Sequence, residues 1–156
     1  WLAKILVPGA KVFKKAKEGD GGYDIFVTGY LDKVDKQLVP KDFVLHPGHS
    51  QLFVTGIATA FPKTHVGLVC DRSGYGVKGL MKQAGVVDSN WRGEWGVKLY
   101  NASPYDITIE SVLENPNAKA ACQVVFVECA DEEFQIVDEL PPSVRGDSWC
   151  GSSDRS

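Results

Sequence analysis

An aspartate and a tryptophan, three positions apart in a short polar stretch, are the residues whose chemistry is easiest to name. Asp88 directly follows two valines, and Trp91 comes just after Asn90. A carboxylate held on rigid backbone can orient or deprotonate a water molecule. An indole beside it offers a flat face that packs against a ring. Taken alone, however, the pair is more typical of an ordinary hairpin turn exposed to solvent.

Apolar runs flank this polar stretch on both sides. The pattern predicts a β-hairpin over residues 85–101, with its turn at residues 88–90. Such a hairpin would hold Asp88 at the point where the first strand gives way to the turn.

Composition predicts one all-β domain. The chain has 156 residues, enough for a single core, and its 16 Gly and 8 Pro separate short runs of Val, Ile and Phe. The net charge of −3 does not indicate binding to a nucleic-acid polymer. A mildly acidic protein can still bind a triphosphate through Mg²⁺, a few arginines and backbone N–H groups.

Cysteine spacing and hydropathy argue against zinc-binding and membrane-spanning classes of protein. Cys70, Cys122, Cys129 and Cys150 show no C-x-x-C spacing, which argues against a structural zinc site. An extracellular disulfide pair stays open, but reduced thiols are favoured. No apolar run is long enough to span a membrane, and no signal peptide is visible. We expect a soluble intracellular protein, cytoplasmic or nuclear, that binds no membrane.

Three further segments place polar residues beside predicted strands. A glycine-rich turn at residues 19–22 leads into a strand that carries Asp24. The run Arg72-Ser73-Gly74 follows a predicted strand at residues 65–70, where successive backbone N–H groups can form an anion-binding nest. Gln123 is the one polar residue in a buried strand at residues 121–127. An amide that only bonds to neighbouring backbone is an equally good interpretation of Gln123.

Other strand predictions follow from the same apolar patterns. We expect an opening strand at residues 2–7, two strands broken at Gly56, and a further strand at residues 105–112. Pro141-Pro142 predicts the end of the strand region. A core is therefore expected at residues 1–140, followed by a tail at residues 141–156 rich in Gly and Ser.

In this order, the segments resemble the five motifs of the trimeric deoxyuridine triphosphatases (dUTPases). The third motif, G-V-[VI]-D-x-x-[YW]-R-G-E, matches residues 85–94 and is the most specific. The second, R-S-G, and the fifth, R-G-x-G-G-F-G-S-[ST]-G, match at residues 72–74 and 145–154. The first, A-G-x-D-[LI], and the fourth, G-D-R-x-A-Q-[LI], match weakly at residues 22–25 and around Gln123.

Two motifs depart from the family pattern. In the fourth, Lys119 and Ala120 stand in place of an acidic and a basic residue. In the fifth, Cys150 occupies the position of the aromatic ring that normally covers the uracil. Trp149, next to it, is then our candidate for that ring; packing of Trp149 against the neighbouring subunit is the alternative interpretation.

The resemblance implies a β-sandwich of jelly-roll type that assembles as a homotrimer. Three subunits would share each active site, with the tail of one closing over a pocket formed between two others. The implied reaction is hydrolysis of dUTP to dUMP and pyrophosphate, with Mg²⁺ as cofactor. This reaction keeps uracil out of DNA and supplies dUMP.

Site roles are implied in the same way. Asp88 would orient the water that attacks the α-phosphorus, and Trp91 would pack against the deoxyribose. Arg72 and Gln123 complete the implied catalytic set, and Asp24 would lie in the outer shell of Mg²⁺, bound through water. Further substrate contacts are implied for these residues: Ser73, Gly74, Val86, Val87, Gly96, Arg145, Trp149, Cys150, Gly151, Ser152 and Ser153.

Two alternative functions stay open. The weak fourth motif is also compatible with a catalytically weakened relative that binds a nucleotide or a protein. A sister enzyme of the same fold, dCTP deaminase, is less favoured, because the chain has neither the R-S-S-x-x-R run nor an obvious catalytic glutamate.

Overall fold

The computed structural model describes residues 1–148, and nearly all regular structure in this part of the chain is strand. The elements are β1 (Leu2–Ile5), β2 (Tyr23–Ile25), β3 (Gly29–Leu31), β4 (Leu38–Val39), β5 (Phe43–Leu45), β6 (Ser50–Val54), β7 (Ile57–Ala60), β8 (His65–Cys70), α1 (Ser73–Gly76), β9 (Leu80–Gln83), β10 (Val86–Val87), β11 (Gly96–Asn101), β12 (Ile107–Ile109) and β13 (Cys122–Glu128). The all-β prediction is confirmed.

Two larger sheets and two strand pairs make up the sandwich. The four-stranded sheet has the order β10-β8-β13-β2, and the five-stranded sheet has the order β4-β3-β6-β11-β9. The pairs are β1-β7 and β12-β5. Neighbouring named strands run antiparallel throughout.

The core lies between the two larger sheets. Ile25 and Val124 from the four-stranded sheet join one buried cluster with Phe53 and Leu99 from the five-stranded sheet. Along β11, buried and outward-facing residues alternate, as expected for strands with one face on a core. Polar side chains on the outer faces of these sheets are therefore available for binding.

Several strand predictions are confirmed. The predicted strand at residues 65–70 is β8, and Gly56, with φ +69°, makes the bend between β6 and β7. The strand expected at residues 105–112 is shorter, and is limited to Ile107–Ile109. Beyond β12, the Val112 N–H bonds to Val27 and so leaves the β5 ladder.

The predicted hairpin over residues 85–101 is wrong. Strand β10 pairs with β8, whereas β11 pairs with β6 and β9, so the two halves belong to different sheets. Ala84 and Gly85 both have positive φ, at 62° and 130°. The chain turns away from the β11 ladder there, and β9 takes the place that β10 was expected to fill.

In the described part of the chain the last strand ends at Glu128, and residues 130–148 are exposed without regular secondary structure. The domain boundary at residue 140 stays a prediction. Within residues 1–148, no helix is long and apolar enough to cross a membrane.

Candidate active site

A row of polar side chains crosses the outer face of the four-stranded sheet. In the ladder, Gln123 on β13 stands opposite Asp24 on β2 and opposite Cys70 on β8. Directly opposed residues of antiparallel strands point to the same face of a sheet. Sequence reasoning found Asp24 and Gln123 but missed Cys70, because only the strand register reveals it.

Arg72 is fixed at one end of this row. Its Nε lies 3.2 Å from Asp24 Oδ1, in an ion pair whose side chains are 33% and 17% exposed. A second guanidinium nitrogen donates to the carbonyl oxygen of Ala120 at 2.9 Å. Ala120 stands in place of the family's basic residue, and its contact with Arg72 is made by the backbone carbonyl oxygen. Of the five N–H donors of Arg72, one bonds to Ala120, while Nε faces Asp24 in the ion pair.

Gln123 has a structural partner. Its Nε2 donates to the carbonyl oxygen of Asp71 at 2.8 Å, as the backbone-bonding interpretation expected. Its Oε1 lies over Gly22, where an added Cβ would collide with it. The amide is therefore held in one orientation, and a catalytic role for it stays a prediction.

The R-S-G run forms the start of a single helical turn. The N–H groups of Tyr75 and Gly76 bond back to Arg72, so Ser73 and Gly74 stand exposed at the beginning of α1. The first N–H groups of a helix have no partner inside it. The Tyr75 hydroxyl anchors the turn by donating to the carbonyl oxygen of Thr108 at 3.4 Å. Burial raises the pKa of this hydroxyl.

A separate cavity of about 400 Å³ lies inside the loop that carries Asp88. Asp88 is exposed, and its carbonyl oxygen accepts the backbone N–H of Trp91 at 3.1 Å. The Trp91 indole folds back over Gly93, where an added Cβ would collide with it, and 52% of the residue remains exposed. The residues that line the cavity are Val86, Val87, Asp88, Asn90, Trp91, Glu94, Trp95 and Gly96.

Trp95 anchors the far end of this loop, and sequence reasoning missed it. Its side chain is 1% exposed, and its Nε1 donates to the Thr59 hydroxyl at 2.9 Å. Its backbone bonds to Thr55 and Ile57 at 3.1 and 2.9 Å. No local signal in the sequence marks this tryptophan as the anchor, because its burial depends on how the strands pack.

Open strand edges border the cavity. The β9 ladder on β11 begins at Lys98, so Gly96 and Val97 pair with β6 on one side only. Val86 and Val87 likewise have a ladder partner only in β8. The expected narrow hairpin is therefore a gap between strands of two sheets, with backbone polar groups along both sides.

The two groups of candidate residues lie at opposite corners of the sheet. Val87 pairs with Gly67, so Asp88 comes next toward the His65 end of β8, whereas Arg72 follows the Cys70 end. Asp88 comes level with Val66, so at about 3.3 Å per residue it lies roughly 20 Å from Arg72 along the strand. Asp24 is also three strands away from β10, or roughly 14 Å across the sheet.

The described residues offer few ligands for a magnesium ion. Residues 1–148 contain no cluster of three or more His, Cys, Asp or Glu side chains placed to hold a metal. Asp24 is a single carboxylate that already faces Arg72. Mg²⁺ commonly takes its ligands from phosphate oxygens and water, with one or two carboxylates. The donor set suits an ion that arrives with a triphosphate.

Part of the predicted site lies in the tail. Arg145 is exposed, and its Nε donates to the Ser148 carbonyl oxygen at 3.4 Å. The other predicted tail residues lie outside the described part of the chain: Trp149, Cys150, Gly151, Ser152 and Ser153.

The three cysteines in the described residues are free thiols. Cys122 points into the core, and burial raises the pKa of its thiol to about 12. The preference for reduced cysteines therefore agrees with the structure at Cys70, Cys122 and Cys129.

The fold and the site define a β-sandwich protein with an acidic loop at one corner of a sheet and an arginine-centred polar row at another. The dUTPase family profile matches residues 9–154. The chain belongs to the dUTPase family.

Relatives and solved structures agree with this assignment. A deoxyuridine 5'-triphosphate nucleotidohydrolase of Corynebacterium glutamicum is 32% identical over 146 residues, which cover 92% of this chain and 87% of the relative. The protein of the same name from Escherichia phage T5 is 39% identical over 110 residues, covering 69% of this chain and 70% of the relative.

Two phage structures share the fold. The Staphylococcus bacteriophage 80alpha dUTPase with dUpNHpp superposes with a TM-score of 0.76 at 22% identity, covering 97% of this chain and 96% of that one. A mutant dUTPase of phage phi11 of S. aureus, described with a structural Mg(II) ion, gives a TM-score of 0.72 at 20% identity, covering 90% and 98%. The sandwich predicted from the sequence is therefore confirmed.

Proposed function

We propose that this chain hydrolyses dUTP to dUMP and pyrophosphate by attack of water on the α-phosphorus. The observation that carries the proposal is the cavity between the open edges of β10 and β11, with Asp88 and Trp91 on its wall. The reaction removes dUTP before its uracil enters DNA, a task for the cytoplasm or the nucleus.

The backbone of Val86, Val87 and Gly96 would read the uracil edge. Strand edges present alternating N–H and C=O groups, which match the donors and acceptors of a planar base. A base with the wrong polar groups would leave some of these backbone groups unpaired. Such mismatches give much stronger rejection than a change in apolar contact.

Trp91 would form the wall beside the deoxyribose. Its indole is held against Gly93 and bonded through Nε1, so it cannot easily move aside for an extra hydroxyl. We therefore assign discrimination against ribonucleotides to this side chain.

Asp88 would act on the attacking water. Its carboxylate takes a proton from the water as the new bond to the α-phosphorus forms. The bond from this phosphorus to the oxygen that bridges to the β-phosphorus then breaks, and pyrophosphate leaves. General-base catalysis of this kind contributes typically about 10²–10⁴-fold to the rate.

The polar row would hold the phosphates. Arg72 keeps N–H donors beyond those used by Asp24 and Ala120, and the exposed N–H groups of Ser73 and Gly74 lie next to it. Gln123 would contact a phosphate or a bound water. A Mg²⁺ ion carried by the triphosphate would neutralise phosphate charge, with Asp24 in its outer shell through water.

The site would be completed between subunits of a homotrimer. Asp88 and Arg72 lie too far apart in one chain to meet at a single α-phosphate, whereas a neighbouring copy could bring the two together. Closed cyclic symmetry gives every copy the same interface. We therefore propose that the loop of one subunit faces the polar row of the next.

The tail supports the same assembly. Phe134, Ile136 and Val144 are almost fully exposed in the single chain. We infer that a partner covers these side chains in the assembly. Among the strands of residues 1–148, β1 pairs only with β7, so it offers an open edge to such a segment.

The end of the tail, beyond Val144, would close over the pocket of a neighbouring subunit. Arg145, Ser152 and Ser153 would hold the γ-phosphate, and Trp149, with Cys150 and Gly151, would cover the uracil.

Product analysis in isotopic water tests the proposed reaction. With dUTP and Mg²⁺ in H₂¹⁸O, mass spectrometry should find dUMP and pyrophosphate, with the label in dUMP alone. The label in pyrophosphate would contradict attack at the α-phosphorus. Release of ammonia from dCTP, or turnover of dTTP and UTP as fast as dUTP, would contradict the assigned substrate.

A further inference from the structure

Glu94 connects the loop that carries Asp88 and Trp91 to the bend between β6 and β7. Its Oε1 accepts the backbone N–H of Gly56 at 2.7 Å. Its own carbonyl oxygen accepts the indole Nε1–H of Trp91 at 3.3 Å. One residue therefore joins the rigid sandwich to the indole on the wall of the cavity.

Gly56 is a well-defined anchor point. It is buried, its φ is +69°, and an added Cβ would lie 2.8 Å from the Cβ of Ala10. The position of its N–H is thus fixed by the fold. A buried N–H is costly to leave unpaired, and a carboxylate acceptor makes a stronger bond than a neutral one.

Contacts continue from Glu94 to the catalytic end of the loop. The Trp91 N–H donates to the Asp88 carbonyl oxygen at 3.1 Å, so the indole and the carboxylate belong to one turn. Trp95, which anchors the far end of the loop, donates its own indole N–H to the Thr59 hydroxyl and does not bond to the indole nitrogen of Trp91.

Arg92 also ties the part of the loop next to Trp91, because its guanidinium donates to the carbonyl oxygens of Ser89 and Trp91 at 2.6 and 3.2 Å. The Glu94 carboxylate is the side chain that joins this part of the loop to the backbone of the bend at Gly56.

We propose that Glu94 is a positioning residue for the dUTPase reaction. By bonding to Gly56, its carboxylate sets the place of its own carbonyl oxygen, and with it the direction of the Trp91 indole and of Asp88. The proposal rests on the proposed function, because the indole is taken to be the wall that rejects a ribose. A misplacement of about 1 Å in such a loop can cost about a hundredfold in rate.

Three substitutions separate positioning from stability. Glu94→Ala removes the acceptor, Glu94→Asp keeps the charge but is too short to reach Gly56, and Glu94→Gln retains an oxygen acceptor. The matched control is Glu114→Ala, because the Glu114 carboxylate also accepts a backbone N–H, that of Asp42, at 2.9 Å, away from the cavity.

We expect Glu94→Ala and Glu94→Asp to lower kcat/KM for dUTP about ten- to hundredfold and to reduce the preference for dUTP over UTP. Glu94→Gln should stay within about fivefold of the original, since the neutral bond is weaker but present. Glu114→Ala should keep the original kcat/KM for dUTP and the original preference for dUTP over UTP. Unchanged discrimination in both Glu94→Ala and Glu94→Asp would overturn the positioning role.

A measurement without substrate keeps this test independent of the proposed reaction. In protein labelled with ¹⁵N-tryptophan, the Trp91 indole resonance, assigned through Trp91→Phe, should shift and exchange faster in Glu94→Asp than in Glu94→Gln. An unchanged resonance would overturn the proposal even in an active enzyme. A shifted resonance in a protein that does not hydrolyse dUTP would leave the positioning intact and refute the proposed function.

Discussion

Arg72 Nε lies 3.2 Å from Asp24 Oδ1, in an ion pair that joins the segment just after β8 to β2, two strands that are not neighbours. Strand β13 lies between them, and Gln123 on that strand faces the same side of the sheet. The three side chains come from three distant parts of the sequence. Their meeting is what turns separate weak motifs into one polar row.

The ion pair should contribute to stability and not only to binding. Arg72→Ala leaves the Asp24 carboxylate without its partner, so we expect a loss of about 1–3 kcal/mol in the free energy of unfolding. A double-mutant cycle with Asp24→Asn, followed by urea denaturation, measures the coupling. Additive effects of the two changes would show that the pair contributes only to ligand binding.

Gly22→Ala should displace Gln123. The new Cβ would collide with Gln123 Oε1, so the amide must rotate and lose its contact with Asp71. We expect a cost of about 1 kcal/mol and a lower kcat. Gly21→Ala is the matched control, because nothing lies within 4 Å of a Cβ added there. If the two variants had equal melting temperatures and equal turnover, the close packing of Gln123 over Gly22 would be refuted.

Thiol labelling should distinguish two cysteines. Burial raises the pKa of Cys122 to about 12, so at pH 8 roughly one thiol in ten thousand is ionised, whereas Cys129 is exposed. Because the raised pKa keeps the thiol neutral up to about pH 12, Cys122 should resist iodoacetamide until the protein unfolds. Peptide mapping after brief labelling checks this. Rapid native labelling of Cys122 would contradict its burial.

Mixed assemblies should reveal whether the site is shared. Asp88→Asn and Arg72→Ala chains should each be inactive alone. Mixed through refolding, about a quarter of the interfaces would join an intact loop to an intact polar row. Recovery of about a quarter of the activity, in particles of about three chain masses by light scattering, is expected. No recovery in well-mixed trimers would place the whole site in one chain.

Much of the fold follows from local pattern. The strand at residues 65–70 and the bend at Gly56 were predictable because apolar periodicity and a glycine are local signals. The pairing of β11 with β9 was not, because strand partners are chosen by the whole sandwich. The turn at Ala84 and Gly85 was not predicted either, because Gly85 was interpreted as the first residue of a hairpin strand.

The site divides in the same way. Asp88 and Trp91 stand in a dense local motif, so the sequence alone was enough to name them. Cys70 entered the polar row only through strand register, and Glu94 gained a role only through its bond to Gly56. Sequence reasoning placed Asp88 and Arg72 in one site shared between subunits; the structure places them at opposite corners of a sheet in the single chain, and their meeting across subunits stays a prediction.

The most direct test of the central claim is Asp88→Asn, measured for both turnover and binding. The amide keeps the shape of the side chain but cannot accept the proton of the attacking water. Pyrophosphate release from dUTP should fall about 10²–10⁴-fold, while calorimetry shows dUpNHpp binding within a few-fold of the original. Asp106→Asn is the control, since Asp106 pairs with His46 away from the cavity. Near-normal turnover in Asp88→Asn would contradict the account.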